Sequence, residues 1–352
     1  MTVYAHGGNV WKDGNPEKWI DFSANLNPMG PPQAMIEKLK ASLGNIVYYP
    51  EADMKTTTLH IASYLDVSSE QVLPTSGGIG AISLIAESIR PKKVVILQPS
   101  FVEYMRVANN VGAELIHLPL IKNGKIQYPK KEIMDALEKG TMLFICNPSN
   151  PIGCTMPKVM MIDVLNYAEN IGAKVVVDEA FIEFSQDESV RDLVENYSSL
   201  IIAGSLTKIF AIPGIRLGYI CTNRDNIKFL KERQTPWSLS SFAGDVAHVL
   251  SDTKEYVEET LKRNQIQREY LRRELEDMGI LVFPSKANFL LLNIKGKNIT
   301  VEQLQEKLIQ DNILIRNCAN YIYLDEYYTR IAVKNKESNE YLVDCLKKYI
   351  GE

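Results

Sequence analysis

The sequence predicts an α/β protein with a second, smaller α+β unit toward its carboxyl-terminal end. From about residue 33 to 235, short β-branched runs alternate with longer amphipathic stretches, the alternation expected of strand–helix–strand units. The runs are apolar almost throughout, which suits strands covered on both faces of a mostly parallel sheet. Beyond them the pattern changes to one long charged helix followed by short strands.

Taken in order, residues 1–30 are rich in Gly, Asn and Pro, carry "HGGN" at 6–9 and end in "NPMGPP"; they read as an arm or loop, not as a packed element. Residues 31–235 form the large unit. Its strand candidates are "KVVILQP", "AELIHLPL", "TMLFICNP", "KVVVDEAF", "LIIAGSL" and "LGYICTN". The stretch "RQTPWSLSS" at 233–241 is the expected hinge zone. Residues 236–352 make the small unit: a charged helix at 254–278, the strand-like "ILVFPSKANFLLLNI", a helix near "VEQLQEKLIQ" and a strand at "YTRIAVK".

Composition narrows the partners. Thirty-nine basic against 43 acidic residues leave a net charge of -4 with no long basic run, so nucleic acid is not an expected partner and small molecules are. Five scattered cysteines without a C-x-x-C pair imply reduced thiols and a cytoplasmic setting. The four histidines are equally dispersed, so no metal site is expected. No apolar run approaches the ~18 residues needed to cross a bilayer, so no membrane association is expected.

The chemistry gathers at strand ends, where ligands of open α/β sheets bind. "CNPSNPIG" offers the Asn150 amide, "VVVDEAF" ends on the carboxylate Asp178, and "GSLTKIFAIPGIRLGY" at 204–219 sets Lys208 and Arg216 among apolar neighbours. Cations there are costly without partners. Each feature alone is weak, but together they suit pyridoxal 5′-phosphate. A Schiff-base amine needs a desolvated, cation-rich pocket, which accounts for Lys208 beside Arg216. A pyridine nitrogen needs an anion, which Asp178 supplies. A phosphate needs hydroxyls, a guanidinium and backbone N–H groups, available from Ser205, Thr207, Arg216 and the "TSGGIGAI" stretch with Gly78 and Ile79.

These motifs, with "DFSANLNPMGPP", "YYPEAD", "PSFVEY", "DEAFIEF", "TPWSLSS", "ANFLLL" and "ILIRNCANY", resemble over nearly the whole chain a fold type I pyridoxal-phosphate enzyme of the histidinol-phosphate aminotransferase branch. Within that branch the chain most resembles the L-threonine-O-3-phosphate decarboxylases of cobalamin biosynthesis. The resemblance implies that Lys208 is the Schiff-base lysine, that Asp178 pairs with the ring nitrogen, that Asn150 bonds the ring hydroxyl and that Phe101 stacks on the ring. It also implies that Tyr49 reaches the cofactor phosphate from a partner subunit, hence a homodimer with shared sites. Arg316 and Arg330 are expected to grip a substrate carboxylate while His6 and Asn25 approach the substrate. "HGGN", "TPWSLSS" and Phe181, where the aminotransferases resembled generally carry Tyr, favour decarboxylation of threonine phosphate; serine phosphate, histidinol-phosphate transamination and a non-catalytic cofactor-binding role are the alternatives. Two departures stand out. Gly77-Gly78-Ile79-Gly80 lacks the side-chain hydroxyl or acid often found there, and Ile322-Tyr323 replaces the family's Pro-Gly.

Overall fold

The computed structural model describes residues 6–351. Seven strands form the large sheet: β1 Val72–Ser76, β2 Lys93–Gln98, β3 Glu114–Pro119, β4 Thr141–Cys146, β5 Lys174–Asp178, β6 Leu200–Ser205 and β7 Leu217–Thr222. Their spatial order is β1-β7-β6-β5-β4-β2-β3, and only β7 runs against its neighbours. Strands β4 and β6 are buried at every residue, as the unbroken apolar runs require. The six strand candidates of the large unit are all strands. β1 escapes the pattern because Pro74 interrupts it; proline is tolerated there because β1 lies at the sheet edge.

The small unit is built on a four-stranded antiparallel sheet: β8 Leu281–Val282, β9 Phe289–Asn293, β10 Arg316–Asn317 and β11 Tyr328–Ala332, ordered β8-β9-β11-β10. Its core holds Leu271, Leu290, Leu304, Ile331 and Leu342.

The packing redistributes two segments. Residues 20–21, read as arm, pair in parallel with 313–314, and Phe22 is fully buried in the small core. The reason is local: Trp19, Ile20 and Phe22 interrupt the polar stretch, and Ala332 donates its N–H to the Phe22 carbonyl (2.8 Å). The change of core also falls later than the hinge stretch at 233–241. Leu239, Ala243, Val246 and Leu250 all pack in the large core. The helix Lys254–Asp277 then joins the two, with Val257 in the large core and Leu271 and Leu275 in the small one. At 24 residues it is roughly 36 Å long, enough to bridge both.

Candidate active site

A cavity of about 250 Å³ opens at the carboxyl edge of the large sheet, walled by both units and by the arm. Every residue given a cofactor or substrate role from sequence lines it except Tyr49. Tyr49 is 81% exposed and stacks loosely on Trp237, ring centroids 5.0 Å apart.

Lys208 follows β6 at the floor of this cavity. Burial and the nearby Arg330 and Arg216 guanidiniums lower its pKa to about 8, so near physiological pH the neutral, nucleophilic amine is a minority form but far more abundant than for an ordinary lysine. Its carbonyl accepts the Asn27 N–H (3.2 Å), which fixes the turn. Asp178 ends β5 and is buried. Burial pushes its carboxyl up, while the Tyr104 hydroxyl (2.5 Å), the Ala180 N–H (2.9 Å) and the charge on Lys208 pull the other way. Tyr104 is itself locked by stacking on Phe144, centroids 4.8 Å apart and 7° from parallel, and meets the Phe101 ring edge-on.

The helix Gly77–Ile89 begins at β1, and Ser76 at its N-cap makes no side-chain capping bond. Its first N–H groups therefore have no partner within the helix. Ser205 and Thr207, hydroxyls 2.9 Å apart, and the Arg216 guanidinium stand around this end. Gly77, at φ +71°, is obligatory: an added Cβ would lie 2.4 Å from Arg216 Nη2.

At the other end of the cavity Arg316 and Arg330 are paired across β10 and β11 and both are buried. Arg330 donates to Asn150 Oδ1 and to the Ser23 carbonyl (2.7 Å), which joins the large unit, the arm and the small unit at one side chain. The first bond occupies Asn150 Oδ1, leaving Nδ2 as the group with which Asn150 would meet a ring oxygen. Arg316 donates to the Asn317 carbonyl and to Asn320 and lies 5.2 Å over the Tyr321 ring. Asn25 is buried with Oδ1 unpartnered among the described residues. His6 meets Glu103 (2.8 Å) and packs 5.8 Å from the Phe101 ring. Sequence reasoning passed over Glu103 and Tyr104; the signal available was a carboxylate and a phenol two and three residues past Phe101, on one helical turn of an otherwise apolar segment.

The family description "Aminotransferase class I and II" matches residues 17–346. The chain belongs to that family. Its cofactor is pyridoxal 5′-phosphate, and the donor set fits: an uncapped helix end with hydroxyls and a guanidinium for a phosphate, a buried carboxylate for a ring nitrogen, an aromatic face at Phe101 and an amine of lowered pKa. A relative from Caldanaerobacter subterraneus subsp. tengcongensis, provisionally named a threonine-phosphate decarboxylase, is 34% identical over 99% of this chain and 94% of its own. The threonine-phosphate decarboxylase of Salmonella typhimurium is 30% identical over 98% of this chain and 96% of its own. Among solved structures, the histidinol-phosphate aminotransferase from Clostridium acetobutylicum superposes with a TM-score of 0.86 at 33% identity, covering 93% of this chain and 98% of that one. Among the described residues no helix is long and apolar enough to cross a membrane, and no cluster of metal-ligating side chains occurs.

Proposed function

We propose that the chain decarboxylates an L-amino-acid O-phosphate, L-threonine O-3-phosphate being the substrate that best matches the relatives' names, with carbon dioxide and an amino-alcohol phosphate as products. The observation that carries this reading is the arm seated in the cavity, with His6 braced by Glu103 facing the same space as Arg316 and Arg330. A substrate with a carboxylate at one end and a phosphate at the other needs two separate donor sites at fixed separation. Arg330, immobilised by Asn150 and Ser23, and Arg316 beside it orient the carboxylate. His6 and Asn25 are the donors left for the phosphate. Phe181 supports the same reading: it lines the cavity without a hydroxyl and packs edge-on against Phe289 (5.0 Å).

The cofactor, when bound, supplies an electron sink for the pair released as the carboxylate carbon departs. Asp178, held by Tyr104, keeps the ring nitrogen protonated. Lys208 Nζ holds the proton that must return to the substrate carbon. Tyr49 belongs to a neighbouring subunit's site in this reading, and the exposed apolar run Leu43, Ile46, Val47 and Tyr48 beside it is the surface a second copy would cover.

The second reading, histidinol-phosphate transamination, rests on the 33% identical aminotransferase structure. One assay separates the two. Incubation with threonine phosphate or serine phosphate and no keto acid is expected to release carbon dioxide, and histidinol phosphate with 2-oxoglutarate to form little glutamate. Rapid glutamate formation without carbon dioxide release would overturn the proposal in favour of the aminotransferase.

A further inference from the structure

Two walls of the catalytic cavity, the Arg330 side and the arm side, are fastened to one buried residue, Ser23. Its carbonyl accepts from Arg330 Nη2 (2.7 Å), and its Oγ accepts from the Gly8 N–H (2.7 Å). Arg330 faces the substrate carboxylate in the reading above, and Gly8 holds the arm two residues from His6. The hydroxyl is aimed by a carboxylate. Ser23 Oγ donates to Asp21 Oδ1 (2.6 Å), the same oxygen that takes the Ser23 N–H (2.8 Å) and the Ala24 N–H (3.3 Å). A serine hydroxyl has a single proton and two acceptor sites, so with the proton directed at Asp21 its lone pairs are left for Gly8.

The backbone under Ser23 has no slack. Residues 20–21 pair with 313–314, the Phe22 N–H donates to the Leu314 carbonyl (2.8 Å), and the Phe22 carbonyl accepts from Ala332, two residues past Arg330 on β11 (2.8 Å). Gly7 lies so close that an added Cβ would overlap the Ser23 carbonyl. A ligand with an anion at each end binds well only when its length matches the separation of the two donor sites, and a rigid separation discriminates against one methylene more or less. We infer that Ser23 is a positioning residue that sets substrate length: it holds Arg330 through its carbonyl and the arm through its hydroxyl, and so fixes the distance between the carboxylate and phosphate subsites. In serine and threonine phosphate that distance is spanned by Cα, Cβ and the ester oxygen. The inference rests on the reading of the cavity as a site for a carboxylate and a phosphate.

Cofactor-loaded protein is titrated calorimetrically with 3-phosphonopropionate, 4-phosphonobutyrate and 5-phosphonopentanoate, which carry a carboxylate and a phosphonate at increasing separation and have no amine to react. Wild type is expected to prefer 4-phosphonobutyrate, which has as many atoms between carboxyl carbon and phosphorus as threonine phosphate, by about tenfold over either neighbour. Ser23→Ala keeps the carbonyl and removes the hydroxyl, and the preference should shrink to about threefold or less. Gly7→Ala pushes the arm off the same residue by another route and should flatten the preference likewise, with circular dichroism unchanged in both variants. In cofactor-free Ser23→Ala, trypsin should cut after the exposed Lys12 faster than in wild type, since the arm has lost its tie. A wild type without a length preference, or the full wild-type preference in both variants, overturns the inference. A preference that is present in wild type and lost in the variants, in a protein that releases no carbon dioxide from threonine or serine phosphate, upholds it and overturns the decarboxylase reading instead.

Discussion

At Lys208 a cation is held where cations are expensive, and its depressed pKa is the chemical yield of that arrangement. In the cofactor-free protein the neutral fraction of the amine grows as pH rises through about 8, so the rate of pyridoxal 5′-phosphate capture should climb across pH 7 to 9 and level off above. Stopped-flow visible absorbance measures it. A rate flat over that range would remove the role of Arg216 and Arg330 in tuning the amine. Glu103 acts through His6, which it grips at 2.8 Å, while Arg106 sits 3.5 Å from its other oxygen. Glu103→Gln keeps the shape and removes the charge that braces the imidazole. The expected result is a KM for the amino-acid phosphate raised about fivefold with kcat within about twofold, because a positioning group lost only from substrate binding leaves the chemical step alone. An unchanged KM would make Glu103 a purely structural carboxylate.

The helix Gly77–Ile89 shows how an element can be matched to a ligand by what it lacks. It has no capping side chain, no Cβ at Gly77 and no hydroxyl in its first turn, so the backbone itself faces the cavity. Gly77→Ala puts a methyl group against Arg216 Nη2 and strains a φ of +71°. Affinity for pyridoxal 5′-phosphate should fall at least about tenfold, read by fluorescence titration of the cofactor-free protein, with the secondary structure unchanged by circular dichroism. The same elements mark the limits of sequence reading. Runs such as "TMLFI" and "KVVVD" declare themselves because a strand covered on both faces has no polar alternative. β1 is hidden by one proline, and residues 20–22 by the glycines and asparagines around them, because their pairing depends on a segment nearly 300 positions away. Lys208, Asp178, Asn150 and Arg216 are legible because each sits at or close to the end of an apolar strand run. Glu103 is not, because its partner His6 comes from a loop whose path no local pattern encodes.

Across the whole molecule, the two units share apolar packing, since Phe283, Leu291, Cys318 and Tyr321 of the small unit are buried in the large core, and polar contacts pin the join. Arg330 bonds Asn150 and the Ser23 carbonyl, and Gly153, at φ +92°, lets the 147–153 turn lie against Ser285, where any Cβ would collide. Phe22→Ala empties a fully buried site in the small core and should cost about 3–5 kcal/mol by chemical denaturation, with a loss of activity larger than the unfolded fraction explains, since Ser23 and Arg330 follow its backbone. The pairing of residues 20–21 with 313–314 also sets a timetable for biosynthesis. Chains fold from the amino terminus as they emerge, yet the apolar cluster Trp19, Ile20 and Phe22 has no place to go until almost the last strand has been made. Throughout translation the cluster is a sticky flag near the front of a growing chain, a ready target for nascent-chain chaperones. Ribosome-stalled chains ending near residue 300 should be cut by chymotrypsin at Trp19 and Phe22, whereas released full-length chains should resist. Resistance in the stalled chains would mean that the cluster finds a temporary shelter in the large unit.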